Sequence, residues 1–395
     1  MRMRKATSAL VGLLLAGVAA TPAHAETIRS MQWHLDSMQA EQMWKTSSGK
    51  GVTVAVIDSG VANIPELEGQ VLPGKDLAEG YQGNERTDYD NHGTKMAALI
   101  AGTGKGPGGD GAFGLAPGAK ILPIRVPNEG NRDGMPSWVA AIRYAADSEA
   151  KILSISLGQS EVEPQLQSAV KYAIDKGKLI FASVGNSGHA QNLQEFPAAT
   201  PGVVGVAAID RQANATSESQ HGPQVDLAAP GVDIVTACPG KTGLCKAHGT
   251  SDATALASAS AALIWSAHPD WTNNQVLRVL LNTSGKPRDG VARNDYIGYG
   301  VVRPRIALTT PGDPGPANEY PLPDLAAAAK GSAAPSAPAA GGEAGSSAGN
   351  GSSAAPKAAE GGSNGLPWTW IGLGLGACVL IGGAVTAVVV RRQNR

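Results

Sequence analysis

This 395-residue chain has few cysteines, few phenylalanines and almost no net charge. It contains 3 cysteines and 3 phenylalanines, and its 32 lysine and arginine residues almost cancel its 33 aspartate and glutamate residues. Binding to nucleic acid needs clustered positive charge, so this balance argues against a nucleic-acid partner. So few cysteines cannot build a disulfide-rich scaffold. The length suits one large globular domain with appended segments.

The cysteines fall into two settings. Cys238 and Cys245 lie close together in a stretch rich in glycine and proline, whereas Cys378 lies in an apolar segment near the end of the chain. A disulfide between Cys238 and Cys245, closing a small loop in an exported protein, is the simplest interpretation. The alternative is a metal-binding pair, but no third or fourth ligand stands at a suitable spacing, so we expect no metal there.

Residues 1–25 have the pattern of a secretory signal peptide. A basic start at Arg2, Arg4 and Lys5 precedes an apolar run over 9–20 that is too short to span a bilayer, and an A-x-A cleavage site ends at Ala25. We expect cleavage after Ala25. The next segment, 26–50, is too short to be an independently folded pro-domain, so we assign it as an N-terminal extension of the domain that follows.

The other end of the chain predicts a membrane anchor. Residues 311–366 are almost entirely proline, alanine, glycine and serine, a composition typical of a disordered linker. Residues 367–390 form an apolar segment long enough to cross a bilayer, and 391–395 form an arginine-rich tail. Tryptophans at one end and arginines at the other orient the segment with the body outside the cell membrane. Residues 366–370 resemble a sortase signal, Leu-Pro-x-Thr-Gly, but Trp370 stands where the glycine should be. This difference argues against covalent attachment to the cell wall.

Between these ends, residues 51–310 predict an α/β domain. Residues 52–58 form a β-branched run typical of a buried parallel strand, and further strand patterns follow at 121–126, 152–157, 179–184 and 203–209. Helical patterns separate or follow them, among them 137–148, 164–176 and 273–282. Alternation of this kind predicts a mostly parallel sheet with helices on both faces.

Three polar residues stand where such a sheet builds its site. Asp58 ends the first strand, His92 opens a helical pattern, and Ser251 stands at the start of a long alanine-rich run. Taken singly, they fit a turn residue and two helix caps. Taken together, they form the set that nucleophilic acyl transfer needs: a serine, an imidazole base and an orienting carboxylate.

Several ordered motifs resemble the subtilisin-like (S8) serine proteases. The catalytic motifs are Val54–Gly60, His92–Ala97 and Gly249–Ser251; the supporting segments are Gly114–Ala119, Ser156–Gly158, Gly185–Gly188, Phe196–Ala198 and Ala229–Gly231. The resemblance implies a three-layer subtilisin-like fold and a serine endopeptidase that forms an acyl-enzyme.

The resemblance also assigns roles to single residues. Ser251 would be the nucleophile, His92 the base and Asp58 the orienting carboxylate. Asn186 and the Ser251 N–H would bind the oxyanion. Ser156, Leu157, Gly158 and Gly185 would offer backbone to an extended peptide, which implies protein or peptide substrates. The preferred residue before the cleaved bond depends on loop geometry around 156–158 and 184–186.

Two positions depart from the family pattern. Asp252 stands where an apolar or small residue is common, and Ala255 stands where proline is common. A carboxylate near a developing oxyanion opposes catalysis, although the helix dipole favours an acid at a helix start. We therefore expect that Asp252 points away from the oxyanion, or else that the enzyme is slow.

The order of segments resembles that of the mycosins, membrane-anchored subtilisin-like proteases associated with type VII secretion. The resemblance implies membrane components of a secretion machine as partners. It also raises an alternative function, a structural subunit that stabilises such a complex with little or no proteolysis. No cofactor is expected. Structural calcium is the open alternative, although we favour solvated turns at Asp88, Asp90, Asp110 and Asp133 because no Asp-x-Asp-x-Asp-Gly loop is present.

Overall fold

The computed structural model of the chain describes residues 27–127 and 134–331. The predicted signal peptide, most of the predicted linker, the predicted membrane segment and the arginine-rich tail lie outside the described residues. Within the described ranges, no helix is both long enough and apolar enough to cross a bilayer.

A seven-stranded sheet forms the centre of the described fold, in the order β2-β3-β1-β4-β5-β6-β7. Every neighbouring pair in it is parallel. The strands are β1 (Thr53–Asp58), β2 (Lys75–Asp76), β3 (Lys120–Arg125), β4 (Ile152–Ile155), β5 (Leu179–Ser183), β6 (Val204–Ile209) and β7 (Leu227–Pro230). Because all strands run the same way, their carboxyl ends share one edge, where α/β proteins build their sites. The mostly parallel α/β fold is therefore confirmed.

Helices cover both faces of the sheet. The α-helices of the described residues are α1 (Ile28–Met31), α2 (Trp33–Met38), α3 (Ala40–Trp44), α4 (His92–Ala101), α5 (Met135–Asp147), α6 (Pro164–Asp175), α7 (Thr250–Ala267), α8 (Asn273–Asn282), α9 (Pro304–Thr309) and α10 (Pro323–Gly331). Successive strand residues point to opposite faces. Val54 and Val56 pack in the core that includes α4, α7 and α8. Ala55 and Ile57 pack in the core that includes α5 and α6. The result is three layers, helix, sheet and helix.

Helix α7 lies against the middle of the sheet and is buried from Asp252 to Trp265. Its side chains there are mostly alanine and serine, which let the helix axis approach the strands closely. Gly249 precedes it with φ +129°, in the region that only glycine adopts without strain. This backbone entry carries Ser251 to the carboxyl edge of the sheet.

The N-terminal extension folds as the three short helices α1 to α3 on the surface of the domain. Leu35, Met38 and Met43 of this extension are buried. The Gln32 amide donates to the carbonyls of Phe113 and Val235. His34 is fully buried, and burial, helped by nearby Arg29, lowers its pKa to about 3. A neutral histidine inside this extension was not apparent from the sequence.

A separate hairpin carries the predicted disulfide. Strands β8 (Ile234–Ala237) and β9 (Leu244–Ala247) pair antiparallel. Cys238 and Cys245 are bonded across the turn, with Cα atoms 5.8 Å apart. The disulfide interpretation is confirmed, and the metal-pair alternative is not needed.

The sequence predicts a disordered linker from residue 311 onward, but the first residues of that segment are packed against the domain. Arg278 donates to the carbonyls of Pro314, Pro316 and Glu319. The Tyr320 hydroxyl donates to the Gly202 carbonyl at 2.6 Å, and Leu322 is buried. We name residues 311–331 the C-terminal strap. Composition alone missed it because its few anchoring side chains are spread among prolines and glycines, and its partners lie far away in sequence.

Candidate active site

Asp58 ends β1 at the carboxyl edge of the sheet. Its side chain is 1% exposed. One carboxylate oxygen accepts the Ser59 N–H at 2.8 Å, and both oxygens lie close to Nδ1 of His92, at 2.8 and 3.0 Å. A buried carboxylate in this contact fixes the histidine tautomer that carries the proton on Nδ1 and stabilises the imidazolium.

His92 is the first residue of α4, and the loop before the helix holds it in place. Asp88 accepts the N–H groups of Asn91 at 2.9 Å and Thr94 at 2.8 Å, so it satisfies free donors at the helix start. Burial alone lowers the pKa of His92, but the charge and hydrogen bonding of Asp58 outweigh it and raise the pKa to about 9. The Asp58 carboxylate therefore favours the protonated form of the His92 imidazole.

Ser251 lies in the first turn of α7. Its hydroxyl donates to the Ser156 carbonyl at 3.4 Å, and the Ser156 hydroxyl donates to the Ser251 carbonyl at 3.3 Å. No hydrogen bond joins His92 to Ser251 in the part of the chain that the structure describes. The structure thus brings Asp58 and His92 into contact, whereas Ser251 is held by the 156–158 segment.

Asn186 follows β5 and is oriented from behind by Thr250. Its side-chain carbonyl accepts the Thr250 N–H at 2.9 Å and the Thr250 hydroxyl at 3.1 Å. This fixes which end of the amide is which, and the amide N–H₂ remains available on an exposed side chain. A fixed amide donor bonded to the residue directly before the proposed nucleophile is the arrangement an oxyanion needs.

Glu195 is a residue of this site that the sequence did not single out. A Cβ at Gly158 would lie 2.3 Å from one oxygen of its carboxylate, and a Cβ at Gly185 would lie 2.6 Å from the other. The two predicted peptide-binding segments therefore meet at this carboxylate. Glu195 does stand directly before the Phe196–Ala198 motif, but an acidic residue in a polar loop carries no signal of where its side chain points.

Asp252, the departure from the family pattern, is buried at 1% exposure. One of its carboxylate oxygens has no hydrogen-bond partner among the described residues. Burial raises its pKa, and nearby cationic groups, His92 first, limit the rise to about 6. The carboxylate is thus packed inside the protein rather than facing solvent in the cleft.

The acidic residues considered for calcium have other partners. Asp88 holds the start of α4, and the Asp110 carboxylate accepts the Ile28 N–H at 3.0 Å. The Asp90 carboxylate accepts the His92 N–H at 2.8 Å. Asp133 lies outside the described residues. Over 27–127 and 134–331, no three acidic, histidine or cysteine side chains gather in a way that could hold a metal ion.

A model of the subtilase family matches residues 49–300. The chain belongs to the subtilase family. The subtilase is 31% identical over 280 residues to subtilisin BL of Lederbergia lenta, which covers 71% of this chain and 99% of that protein. It is 36% identical over 241 residues to thermitase of Thermoactinomyces vulgaris, which covers 60% of this chain and 82% of that protein. Membership makes the protein a serine endopeptidase.

Solved structures add the mycosins to these relatives. A crystal structure of MycP1 from Mycobacterium smegmatis matches with a TM-score of 0.64 at 28% identity, covering 76% of this chain and 89% of that chain. The MycP3 protease from the type VII (ESX-3) secretion system matches with a TM-score of 0.60 at 31% identity, covering 73% and 90%. The resemblance to the mycosins is confirmed.

Proposed function

We propose that this subtilase hydrolyses peptide bonds with Asp58, His92 and Ser251 as its catalytic triad. The observation that carries the proposal is the contact between His92 and the buried Asp58 carboxylate, at 2.8 and 3.0 Å. The contact orients the imidazole with its proton on Nδ1, so Nε2 is free to act as the base. Ser251 supplies the hydroxyl at the start of α7, on the same edge of the sheet.

The reaction proceeds through an acyl-enzyme. His92 Nε2 takes the Ser251 hydroxyl proton as the oxygen attacks the substrate carbonyl. Asn186 and the Ser251 N–H donate to the oxyanion, and one such donor contributes about 3 kcal/mol to the transition state. The imidazolium returns the proton to the leaving amine. Water then attacks the acyl group by the same route and regenerates the serine, so the reaction needs no cofactor.

The step that precedes attack is a rotation of Ser251. Its hydroxyl donates to the Ser156 carbonyl, and Ser156 belongs to the segment predicted to pair with substrate backbone. A peptide that binds beside this segment competes with the Ser251 hydroxyl for hydrogen bonding to the Ser156 carbonyl. Rotation about the serine Cα–Cβ bond then turns the hydroxyl oxygen toward His92. We infer that substrate binding and serine activation are linked through Ser156.

We further propose that the enzyme is anchored in the cell membrane by residues 367–390, with its catalytic domain outside, and works with a type VII secretion machine. The sequence pattern at both ends supports the anchor. A chain in the periplasmic assembly from the ESX-5 inner membrane complex, which matches with a TM-score of 0.64 at 28% identity, supports the association. Its partners would then be membrane components of such a complex, and its substrates would be proteins or peptides.

The test is labelling of the purified full chain in detergent with a fluorophosphonate probe. Wild type should label, and Ser251→Ala should not. Ser168→Ala, which changes an exposed serine on α6, is the matched control and should label like wild type. Absence of labelling in folded wild-type protein would contradict the triad.

A second candidate function is a structural subunit that stabilises a secretion complex with little proteolysis. One observation favours it: the Ser251 hydroxyl is bonded to Ser156 rather than to His92. Secretion by a strain carrying Ser251→Ala separates the two functions. Normal export would favour the structural role, and lost export with normal complex assembly would favour proteolysis.

A further inference from the structure

Glu195 lies between the two backbone segments that flank the proposed nucleophile. Its carboxylate oxygens are within 2.3 and 2.6 Å of where side chains would begin at Gly158 and Gly185. Any side chain at either glycine would displace the carboxylate, so the glycines allow it to reach this place. It is the acidic group at the point where the two segments face each other.

This point is next to the reacting atoms. Gly185 directly precedes Asn186, the proposed oxyanion donor, and Gly158 lies two residues after Ser156, which accepts the Ser251 hydroxyl. A peptide whose carbonyl sits between Ser251 and Asn186 therefore presents its nearest acyl-side side chain to the space between the two segments. Glu195 is the acidic side chain that lies between these two segments.

The Glu195 carboxylate is held in place but its charge is not balanced. The Gln220 amide donates to it at 2.7 Å and to the Ser187 hydroxyl at 2.8 Å, and Gln220 itself is fully buried. Partial burial raises the pKa of Glu195, and the Gln220 hydrogen bond opposes that shift. No lysine, arginine or histidine among residues 27–127 and 134–331 forms an ion pair with it.

We propose that Glu195 selects substrates with lysine or arginine immediately before the cleaved bond. A half-buried carboxylate fixed by an uncharged amide is stabilised when a ligand brings a cation to it, and discrimination is strongest where binding completes a buried polar pair. The flexible alkyl stems of lysine and arginine let that cation reach the carboxylate between the two segments. The inference rests on the proposed function because it places the scissile carbonyl at Ser251.

The test compares peptide anilides that differ only in the residue before the anilide: lysine, arginine, leucine or glutamate. Wild type should show a kcat/KM for lysine and arginine at least about tenfold above leucine, as expected for one ion pair with a partly buried carboxylate. Glu195→Gln, which keeps the shape and removes the charge, should lose this ratio. Glu195→Lys should favour glutamate over lysine.

The matched control is Glu149→Gln. Glu149 is exposed and precedes β4, so it lies at the opposite edge of the sheet from Glu195. The lysine-to-leucine ratio of this variant should equal that of wild type. Equal cleavage of lysine and leucine by wild type, or an equal loss for both substrates in Glu195→Gln, would overturn the inference while leaving the triad intact.

Failure of the proposed triad can be distinguished from failure of the proposed selection by Glu195. Fluorophosphonate labelling reports Ser251 without a charged side chain in the probe. The affinity of the Ser251→Ala protein for the peptides Ala-Ala-Pro-Lys and Ala-Ala-Pro-Leu, measured by calorimetry, reports selection by Glu195 without catalysis. Tighter binding of the lysine peptide that disappears on adding Glu195→Gln supports selection by Glu195 even if no labelling occurs, and equal binding of both peptides refutes it.

Discussion

His92 experiences two opposing effects, and Asp58 decides the result. Burial lowers the pKa of the imidazole, but the Asp58 carboxylate at 2.8 Å raises it to about 9. A general base must be neutral, so the free enzyme gains activity only as the imidazolium loses its proton. The same shift stabilises the fold at pH values below 6.5, and that contribution is lost as the pH rises through about 9.

The raised pKa of His92 determines the expected pH profile of activity. Between pH 6 and pH 10.5, kcat/KM should rise along a single alkaline limb with its midpoint near the His92 pKa, about 9. Initial rates on a peptide anilide ending in leucine measure it. Glu149→Gln is the control for removal of a distant carboxylate and should leave the midpoint unchanged. A midpoint near the ordinary histidine pKa would mean that the Asp58 contact does not hold in solution.

Asp252 carries a carboxyl group that is almost completely buried. Because its folded-state pKa is raised from 3.8 to about 6, the folded protein binds more protons than the unfolded chain between these values. Stability therefore falls as the pH rises from 3.8 to 6, by up to about 3 kcal/mol at about 1.4 kcal/mol per pH unit.

Replacement of Asp252 by asparagine should reverse this loss. The variant Asp252→Asn keeps the shape without the charge, so we expect a gain of about 1 to 3 kcal/mol in the free energy of unfolding at pH 7.5. At pH 4 the gain should nearly vanish, because the native carboxyl is then protonated. Urea unfolding at both pH values measures it. A gain of the same size at both would show that packing, not charge, is responsible.

At the scale of elements, helix α4 depends on residues outside it. Asp88 satisfies the N–H groups of Asn91 and Thr94, and the Asp90 carboxylate accepts the His92 N–H. The loop over 88–91 thus sets the direction in which His92 leaves the backbone. The same acidic residues that suggested a calcium site from sequence serve here as hydrogen-bond acceptors of a helix start.

The β8–β9 hairpin offers a prediction about the disulfide. The bond between Cys238 and Cys245 closes a loop of sequence separation 7. Replacing both cysteines by alanine should lower the free energy of unfolding by about 2 kcal/mol, the value for a loop of this size. The comparison is urea unfolding of oxidised wild type, reduced wild type and the double variant. Fluorophosphonate labelling serves as the control and should persist, because the hairpin carries none of the proposed catalytic residues.

At the scale of the molecule, the described domain ends later than its composition suggests. The C-terminal strap, residues 311–331, is held through Arg278 and through Gly202, whose carbonyl accepts the Tyr320 hydroxyl and whose N–H donates to the Asp324 carboxylate at 2.8 Å. Leu322 is buried. These contacts tie α8 and the loop before β6 to the C-terminal strap.

A chain ending at Thr310 should therefore be less stable than one ending at Gly331. We expect a difference of about 2 to 4 kcal/mol, from the burial of Leu322 and the lost hydrogen bonds after the entropy of ordering the strap is offset. Thermal unfolding of the two truncated chains, both starting at Glu26, measures it. Tyr320→Phe in the longer chain isolates one hydrogen bond, worth about 1 kcal/mol. Equal melting temperatures would show that the strap adds nothing to stability.

The fold and the proposed triad could be anticipated to different degrees. The nearly continuous β-branched run over 52–58 favours a buried strand whatever its neighbours in sequence are. The strand β1 and the parallel sheet therefore follow from local pattern. Asp58, His92 and Ser251 stand at element ends within two residues of a glycine, where their types alone suggest chemistry. Glu195 and Gln220 carry no such mark, because their importance arises only from the glycines that they approach.

By itself, the sequence determined the α/β class, the family and the disulfide, since each depends on periodicity, ordered motifs or two nearby cysteines. The tertiary structure decided what depends on distant partners. It buried Asp252 and His34, packed the C-terminal strap around Arg278 and Gly202, and brought the Glu195 carboxylate between Gly158 and Gly185. Burial and desolvation are properties of neighbours in space. A side chain's charge and pKa in the folded protein therefore cannot be inferred until those neighbours are known.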